Sequence, residues 1–261
     1  MNFLARIVAH KLQESEALFT PETTARFQEA IGARPPVVSF KAALDAAPGP
    51  AIIAEIKRAS PSKGEFAMHW DPVELAQVYQ DNGAAALSVL TEVKYFKGDP
   101  EFIPRMRPVI KVPILRKDFI LEPVQIYESA AIGADALLLI VSLLEFSKLR
   151  ALLLLTRSLG LEALVEVHTQ EEMNQALKAG ARVIGINSRD LHTFRMYPDR
   201  PLELAPLAPK EVTLVAASGL KTRADLERLE AAGIKGFLIG ETLVTSADPG
   251  AKLWEFQGTV Q

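Results

Sequence analysis

The sequence predicts an α/β fold, a single (β/α)8 barrel of the TIM type with an N-terminal helical extension. Three observations carry that prediction. Short apolar strand-like runs alternate with helical stretches from residue 51 onward, there are about eight such pairs, and polar side chains gather where the runs end. At 261 residues the chain has the length that this architecture uses as one unit. The expected division is a single domain, with residues 1–47 as the extension and residues 48–261 as the barrel.

Leu4, Ile7, Val8, Leu12 and Leu18 recur at helical spacing and predict a first helix. Residues 25–31 predict a second, ahead of the Pro35-Pro36 break, and residues 39–44 a third with Ser39 as N-cap. The strands follow: AIIAEIK (51–57), ALSVL (86–90), PILRK (113–117), ALLLI (136–140), EALVEV (162–167), RVIGIN (182–187), VTLVA (212–216) and GFLIG (236–240). A loose internal repeat supports the pairing of helix with strand. In NGAAALSVL, IGADALLLI, KAGARVIGI and AAGIKGFLIG a glycine ends a helix and a strand begins a few residues later, as helix C-cap chemistry requires. A doubly wound open sheet is the rival architecture. It usually carries a Gly-rich loop after its first strand, and here that place holds KRASPSKG.

The composition narrows the function classes. With 49% hydrophobic and 23% charged residues there is ample material for a core. A net charge of −3 leaves no cationic excess to release counterions from nucleic acid, so any anion the protein binds must be held locally. There are 0 cysteines, which excludes disulfides and thiol nucleophiles and suits a reducing cytoplasm. The apolar run at 136–144 falls well short of the ~20 residues that span a bilayer, and the N-terminus lacks an apolar signal core. A cytoplasmic protein without a membrane or nucleic-acid partner, acting as monomer or homodimer, is the expectation.

Glu55 and Lys57 lie two residues apart at the end of the first strand, so both side chains share one face. Ionised groups on a strand that should be buried call for a partner, either each other in a plain salt bridge or a ligand. The other strand ends supply Thr91, Glu92, Arg116, Lys117, Asp118, Glu166, His168, Asn187, Arg189, Asp190, Ser218, Gly219, Gly240 and Glu241. Barrel active sites are built at this face. His168 and His192 lie near carboxylates, but no pair has a spacing such as HxxxH, so no metal is expected.

The motifs IIAEIKRASPSKG (52–64), LSVLTEVKYFKG (87–98), ILRKDFI (114–120), GADALLLIV (133–141), LVEVH (164–168), IGINSRDL (184–191), ASGL (217–220) and FLIGETL (237–243) resemble, in order, those of the indole-3-glycerol phosphate synthases of tryptophan biosynthesis. The resemblance implies a lyase acting on 1-(2-carboxyphenylamino)-1-deoxyribulose 5-phosphate, which closes the indole ring and loses carbon dioxide and water without a cofactor. It implies Glu55, Lys57, Lys117, Glu166 and Asn187 as catalytic residues, with Lys117 as the acid for ring closure and Lys57 serving dehydration with Glu55 or Glu166. It places the phosphate near Ser218, Gly219, Gly240 and Glu241 with Ser60 nearby. The anthranilate ring falls among Phe96, Phe119, Leu138 and Leu191, with Arg189 bringing charge to that pocket. One position departs from the pattern, because Ala217 stands where the family typically has glutamate, and reduced turnover with phosphate binding retained is the expected consequence. A sister barrel that isomerises a phosphoribosyl substrate would not need Lys57 and Lys117, and a non-catalytic phosphate-binding scaffold is favoured only by Ala217.

Overall fold

The computed structural model describes residues 3–60, 64–66 and 70–258. Helices α1 (Phe3–Leu18), α2 (Pro21–Ala33) and α3 (Phe40–Ala46) come first. The barrel strands are β1 (Ala51–Ile56), β2 (Ala86–Leu90), β3 (Ile114–Lys117), β4 (Ala136–Ile140), β5 (Glu162–Val167), β6 (Val183–Asn187), β7 (Thr213–Ala217) and β8 (Gly236–Ile239). Parallel pairing runs β1-β8-β7-β6-β5-β4-β3-β2 and returns to β1, so the sheet is a closed barrel. The open-sheet rival is thereby excluded.

The intervening helices are α4 (Pro72–Asp81), α5 (Val93–Phe96), α6 (Phe102–Met106), α7 (Pro123–Ala131), α8 (Phe146–Ser158), α9 (Gln170–Ala179), α10 (Arg200–Leu204), α11 (Arg223–Glu230), α12 (Glu241–Val244) and α13 (Pro249–Gln257). At the helix ends of the repeat, Gly83, Gly133, Gly180 and Gly233 have φ of 86°, 90°, 88° and 91°. That left-handed backbone is open to glycine at no steric cost, and it turns each helix back toward the next strand.

Strand alternation sorts the core into two layers. Ile52, Ala54 and Ile56 of β1, with Leu137 and Leu139 of β4, pack outward against the helices. Ala51 and Ile53, with Ala136, Leu138 and Ile140, fill the barrel interior. Glu55 continues the inward row of β1, which is why a charged residue can sit at the top of a buried strand. Strand bounds differ from the sequence reading by a residue in places. Pro113 has no N–H to give a ladder and falls outside β3, whereas Ala217 pairs with Asn187 and belongs to β7. Helix α2 starts earlier than residue 25, because Thr20 accepts a hydrogen bond from the Thr23 N–H and Pro21 occupies the first turn.

The extension seals the barrel from both ends. At the bottom, Phe40 and Leu44 of α3 join the interior cluster, Thr213 at the start of β7 donates to Asp45 at 2.6 Å, and Lys235 donates to the Ala47 and Gly49 carbonyls. At the top, Lys11 of α1 reaches Asp118 just beyond β3 at 3.0 Å. Among the described residues no helix is long and apolar enough to cross a membrane.

Candidate active site

The inward rows end in polar groups at the C-terminal mouth of the barrel. Leu115 is followed inward by Lys117, Leu164 by Glu166, and Val183 and Gly185 by Asn187. Together with Glu55 and Lys57 they line a cavity of about 330 Å³, within the range that holds a small organic substrate. The same cavity is lined by Ser60, Phe96, Phe119, Leu138, Arg189, Leu191, Ser218, Gly219, Gly240 and Glu241, so every site residue named from the sequence comes to one place.

Glu55 is the electrostatic centre. Its Oε1 lies 3.2 Å from Lys57 Nζ and its Oε2 lies 3.6 Å from Lys117 Nζ. Burial would push the Glu55 carboxyl up, but the two ammonium groups outweigh it and hold the group below the ordinary glutamate value. Lys117 mirrors this. Burial disfavours its charge, Glu55 and Glu166 offset that more than fully, and its pKa lies above the ordinary lysine value. Lys57 also has its ammonium 5.5 Å from the Phe66 ring centre, an apolar flank that screens it from water.

Opposite this group, the Asn187 amide donates to Glu166 Oε1 at 3.0 Å while its own oxygen accepts the Arg189 N–H at 2.9 Å. The Phe96 and Phe119 rings lie 6.0 Å apart at 42°, forming an apolar wall beside Leu138. Phe96 is placed by local chemistry: the buried Glu92 carboxylate caps α5 by accepting from the N–H groups of Lys94, Tyr95 and Phe96. The far side of the cavity is built from backbone. Ser218 and Gly219 both have positive φ, 69° and 81°, so the chain turns sharply after β7, and strain at the non-glycine Ser218 is of the kind kept at functional sites. Gly240 is fixed by proximity, since an added Cβ would run into Glu55 Oε1 and lie 3.0 Å from Lys57 Nζ. The first loop delivers the Ser60 hydroxyl, buried and without a hydrogen-bond partner among the described residues. Residues 61–63 of that loop motif lie outside the described residues.

Not every polar strand end belongs to the site. Arg116 points outward and is bound by Glu128 at 2.7 Å and Asp118 at 3.2 Å. Thr91 donates to Asp118 at 2.6 Å, and Glu92 is a helix cap. These groups hold the scaffold, and strand-end polarity alone does not separate them from Lys117. Sequence reasoning also missed Phe194 and Met196, in the loop after β6, and Lys221, after Gly219, all of which line the cavity. The HTFRMY loop has no periodicity to mark it, whereas Lys221 follows the SG turn and was open to a reading by position. For Glu241, only the backbone N–H suits an anion, because its carboxylate would repel a phosphate. Among the described residues no group of three or more His, Asp or Glu side chains is placed to hold a metal ion.

A family model described as indole-3-glycerol phosphate synthase matches residues 4–256. The indole-3-glycerol phosphate synthase of Carboxydothermus hydrogenoformans is 54% identical over 203 residues, 77% of this chain and 77% of its own. That of Chlorobium chlorochromatii is 42% identical over 256 residues, 97% of this chain and 100% of its own. Among solved structures, KGPDC from Streptococcus mutans matches with a TM-score of 0.62 at 14% identity, over 80% of this chain and 96% of its own. At that identity the likeness speaks for the barrel alone.

Proposed function

This chain belongs to the indole-3-glycerol phosphate synthase family, and on that premise we propose that its cavity converts 1-(2-carboxyphenylamino)-1-deoxyribulose 5-phosphate to indole-3-glycerol phosphate. The observation that carries the reading is the Lys57–Glu55–Lys117 cluster at the mouth of the barrel, two ammonium groups held ready by one buried carboxylate. Attack of the carboxyl-bearing ring carbon on the ketone develops negative charge on oxygen. Lys117 delivers a proton there, a contribution worth roughly 10²-fold to 10⁴-fold in rate. Cleavage of the bond to the carboxylate returns its electron pair to the ring system and releases carbon dioxide. The remaining hydroxyl then leaves as water with a proton from Lys57, as a carbon-bound proton passes to a carboxylate. Glu166 suits that last role better than Glu55, since both Glu55 oxygens are engaged by lysines whereas, among the described residues, the Asn187 and His168 contacts of Glu166 both fall on its Oε1.

The phosphate is best accommodated by the backbone of Ser218, Gly219, Gly240 and Glu241, with the unpartnered Ser60 hydroxyl as a further donor. The aromatic ring of the substrate fits the wall of Phe96, Phe119, Leu138 and Leu191, where Arg189 offers a cation to its carboxylate. Ala217 is 5% exposed in the wall beside Asn187, so a glutamate at this position would add a carboxylate to the cavity. Its absence supports reduced turnover with phosphate binding retained. A reducing cytoplasmic setting suits a chain with 0 cysteines.

The test is incubation of the pure protein with the carboxyphenylamino-deoxyribulose phosphate while indole fluorescence is followed, with and without EDTA. Product formed equally in both supports the proposal. No product, or product that depends on metal, contradicts it.

A further inference from the structure

The segment LVEVHTQEE brings three titratable side chains onto one line. His168 follows Glu166 by two residues at the end of β5, and Glu172 stands four residues further on in the first turn of α9. The cap residue Thr169 accepts the Glu172 N–H at 3.2 Å and fixes that turn. One Glu172 oxygen accepts the His168 backbone N–H at 2.7 Å and lies 3.2 Å from His168 Nδ1. On the other side of the ring, Nε2 lies 3.5 Å from Glu166 Oε1, the oxygen that accepts from Asn187. The His168 side chain is 8% exposed, and Nε2 has no hydrogen-bond partner among the described residues.

A neutral imidazole has a single N–H, so it can donate to only one of two flanking carboxylates. Donation from Nδ1 to Glu172 leaves a buried Nε2 lone pair facing an anionic oxygen, and the other tautomer reverses the problem. Only the imidazolium meets both carboxylates with a donor. We infer that His168 is a positioning residue for Glu166, a cationic donor oriented by Glu172 that keeps the Glu166 carboxylate aimed at the cavity. This rests on the reading of Glu166 as the base of the proposed reaction.

The charged groups facing the ring are Glu166 from β5, Glu172 from α9 and Arg200 from α10. Burial works against the imidazolium and Arg200 opposes it weakly, but the two glutamates outweigh both and raise the pKa above the ordinary histidine value. Arg200 is itself engaged, donating to the Asn187 carbonyl at 2.7 Å. The functional form therefore persists to the raised pKa and is lost as pH climbs through it. Glu166 then keeps the Asn187 hydrogen bond and the Lys117 charge but loses the His168 donor, and turnover falls on the alkaline side before Lys117 deprotonates.

The experiment combines an NMR titration of the His168 ring with pH profiles of kcat on the full chain. In the wild type the ring should titrate above about 6.5, and Glu166→Gln should lower that midpoint by roughly half a unit or more. His168→Gln should lower kcat about tenfold at pH 7, or ~1.4 kcal/mol, with KM within about twofold and the alkaline limb displaced. Glu172→Gln, which leaves the ring in place but removes its anchor, should move the limb to lower pH and serves if His168→Gln does not fold. A ring midpoint indifferent to Glu166→Gln overturns the inference. So does a wild-type kcat profile in the His168 variant, or in the Glu172 variant if the first does not fold, while Glu166→Gln loses about 100-fold or more; in that case the role of Glu166 survives. Full turnover in Glu166→Gln instead overturns the role of Glu166 and the inference together.

Discussion

Replacing Lys11 with methionine should destabilise the protein by about 3 kcal/mol, although Lys11 lies in the extension and outside the cavity lining. Its ammonium lies 3.0 and 3.2 Å from the two oxygens of Asp118, whose side chain is 0% exposed. Methionine preserves most of the buried stem, so the change isolates the charge. Breaking a buried ion pair costs about 3–5 kcal/mol when the surviving charge has nowhere to turn. Here Asp118 keeps Arg116, the Thr91 hydroxyl and the Phe119 N–H, which puts the loss at the lower end. Urea denaturation at pH 7 measures it, and a double-mutant cycle with Asp118→Asn should return a coupling above about 1 kcal/mol. The pH dependence has a definite sign. Burial would raise the Asp118 carboxyl, but Arg116 and Lys11 hold it below the ordinary aspartate value. Its stabilisation is complete above the unfolded value of about 3.9 and lost as pH falls through the folded one. The gap between wild type and variant should hold at pH 5 and close below about pH 4. A difference under about 1 kcal/mol at pH 7 would refute the reasoning.

Three further substitutions probe the cavity. Gly240→Ala forces the Glu55 carboxylate aside, and because the clash is with the ends of flexible side chains, stability should change by less than about 1 kcal/mol while kcat/KM falls about tenfold or more. Unchanged kcat/KM would show that the Glu55 position is unimportant. Ala217→Glu should increase turnover with little change in affinity for the phosphate moiety, as read by steady-state kinetics and calorimetry; no gain would remove Ala217 as a cause of reduced activity. Glu92→Gln, which weakens the cap that places Phe96, should raise KM several-fold with kcat nearly kept, and an unaltered KM would disconnect that cap from binding.

The barrel was legible because its signals are local. ALSVL, ALLLI and EALVEV begin and end where the apolar runs do, and glycines at left-handed φ punctuate the helices before several strands. The candidate site was legible for a related reason: Glu55, Lys117, Glu166 and Asn187 each end an inward-facing row, and period-two alternation carries them to one mouth. What escaped depends on contacts between distant segments. Lys11 reads as the polar face of an amphipathic helix, and its partner Asp118 is 107 residues away. Arg116 and Lys117 are neighbours in sequence, yet one serves the scaffold and the other the cavity, a distinction set by strand parity and not by residue type. Phe194 and Met196 lie in an irregular loop, where no periodicity marks the side that faces inward.

Replacing Lys117 tests the proposed chemistry most directly. In Lys117→Ala, turnover of the carboxyphenylamino-deoxyribulose phosphate should fall by at least about 100-fold, the loss of a general acid, while calorimetry finds the affinity for the phosphorylated product within about threefold of wild type. Turnover retained in that variant would contradict the assignment of ring closure to the Lys57–Glu55–Lys117 cluster.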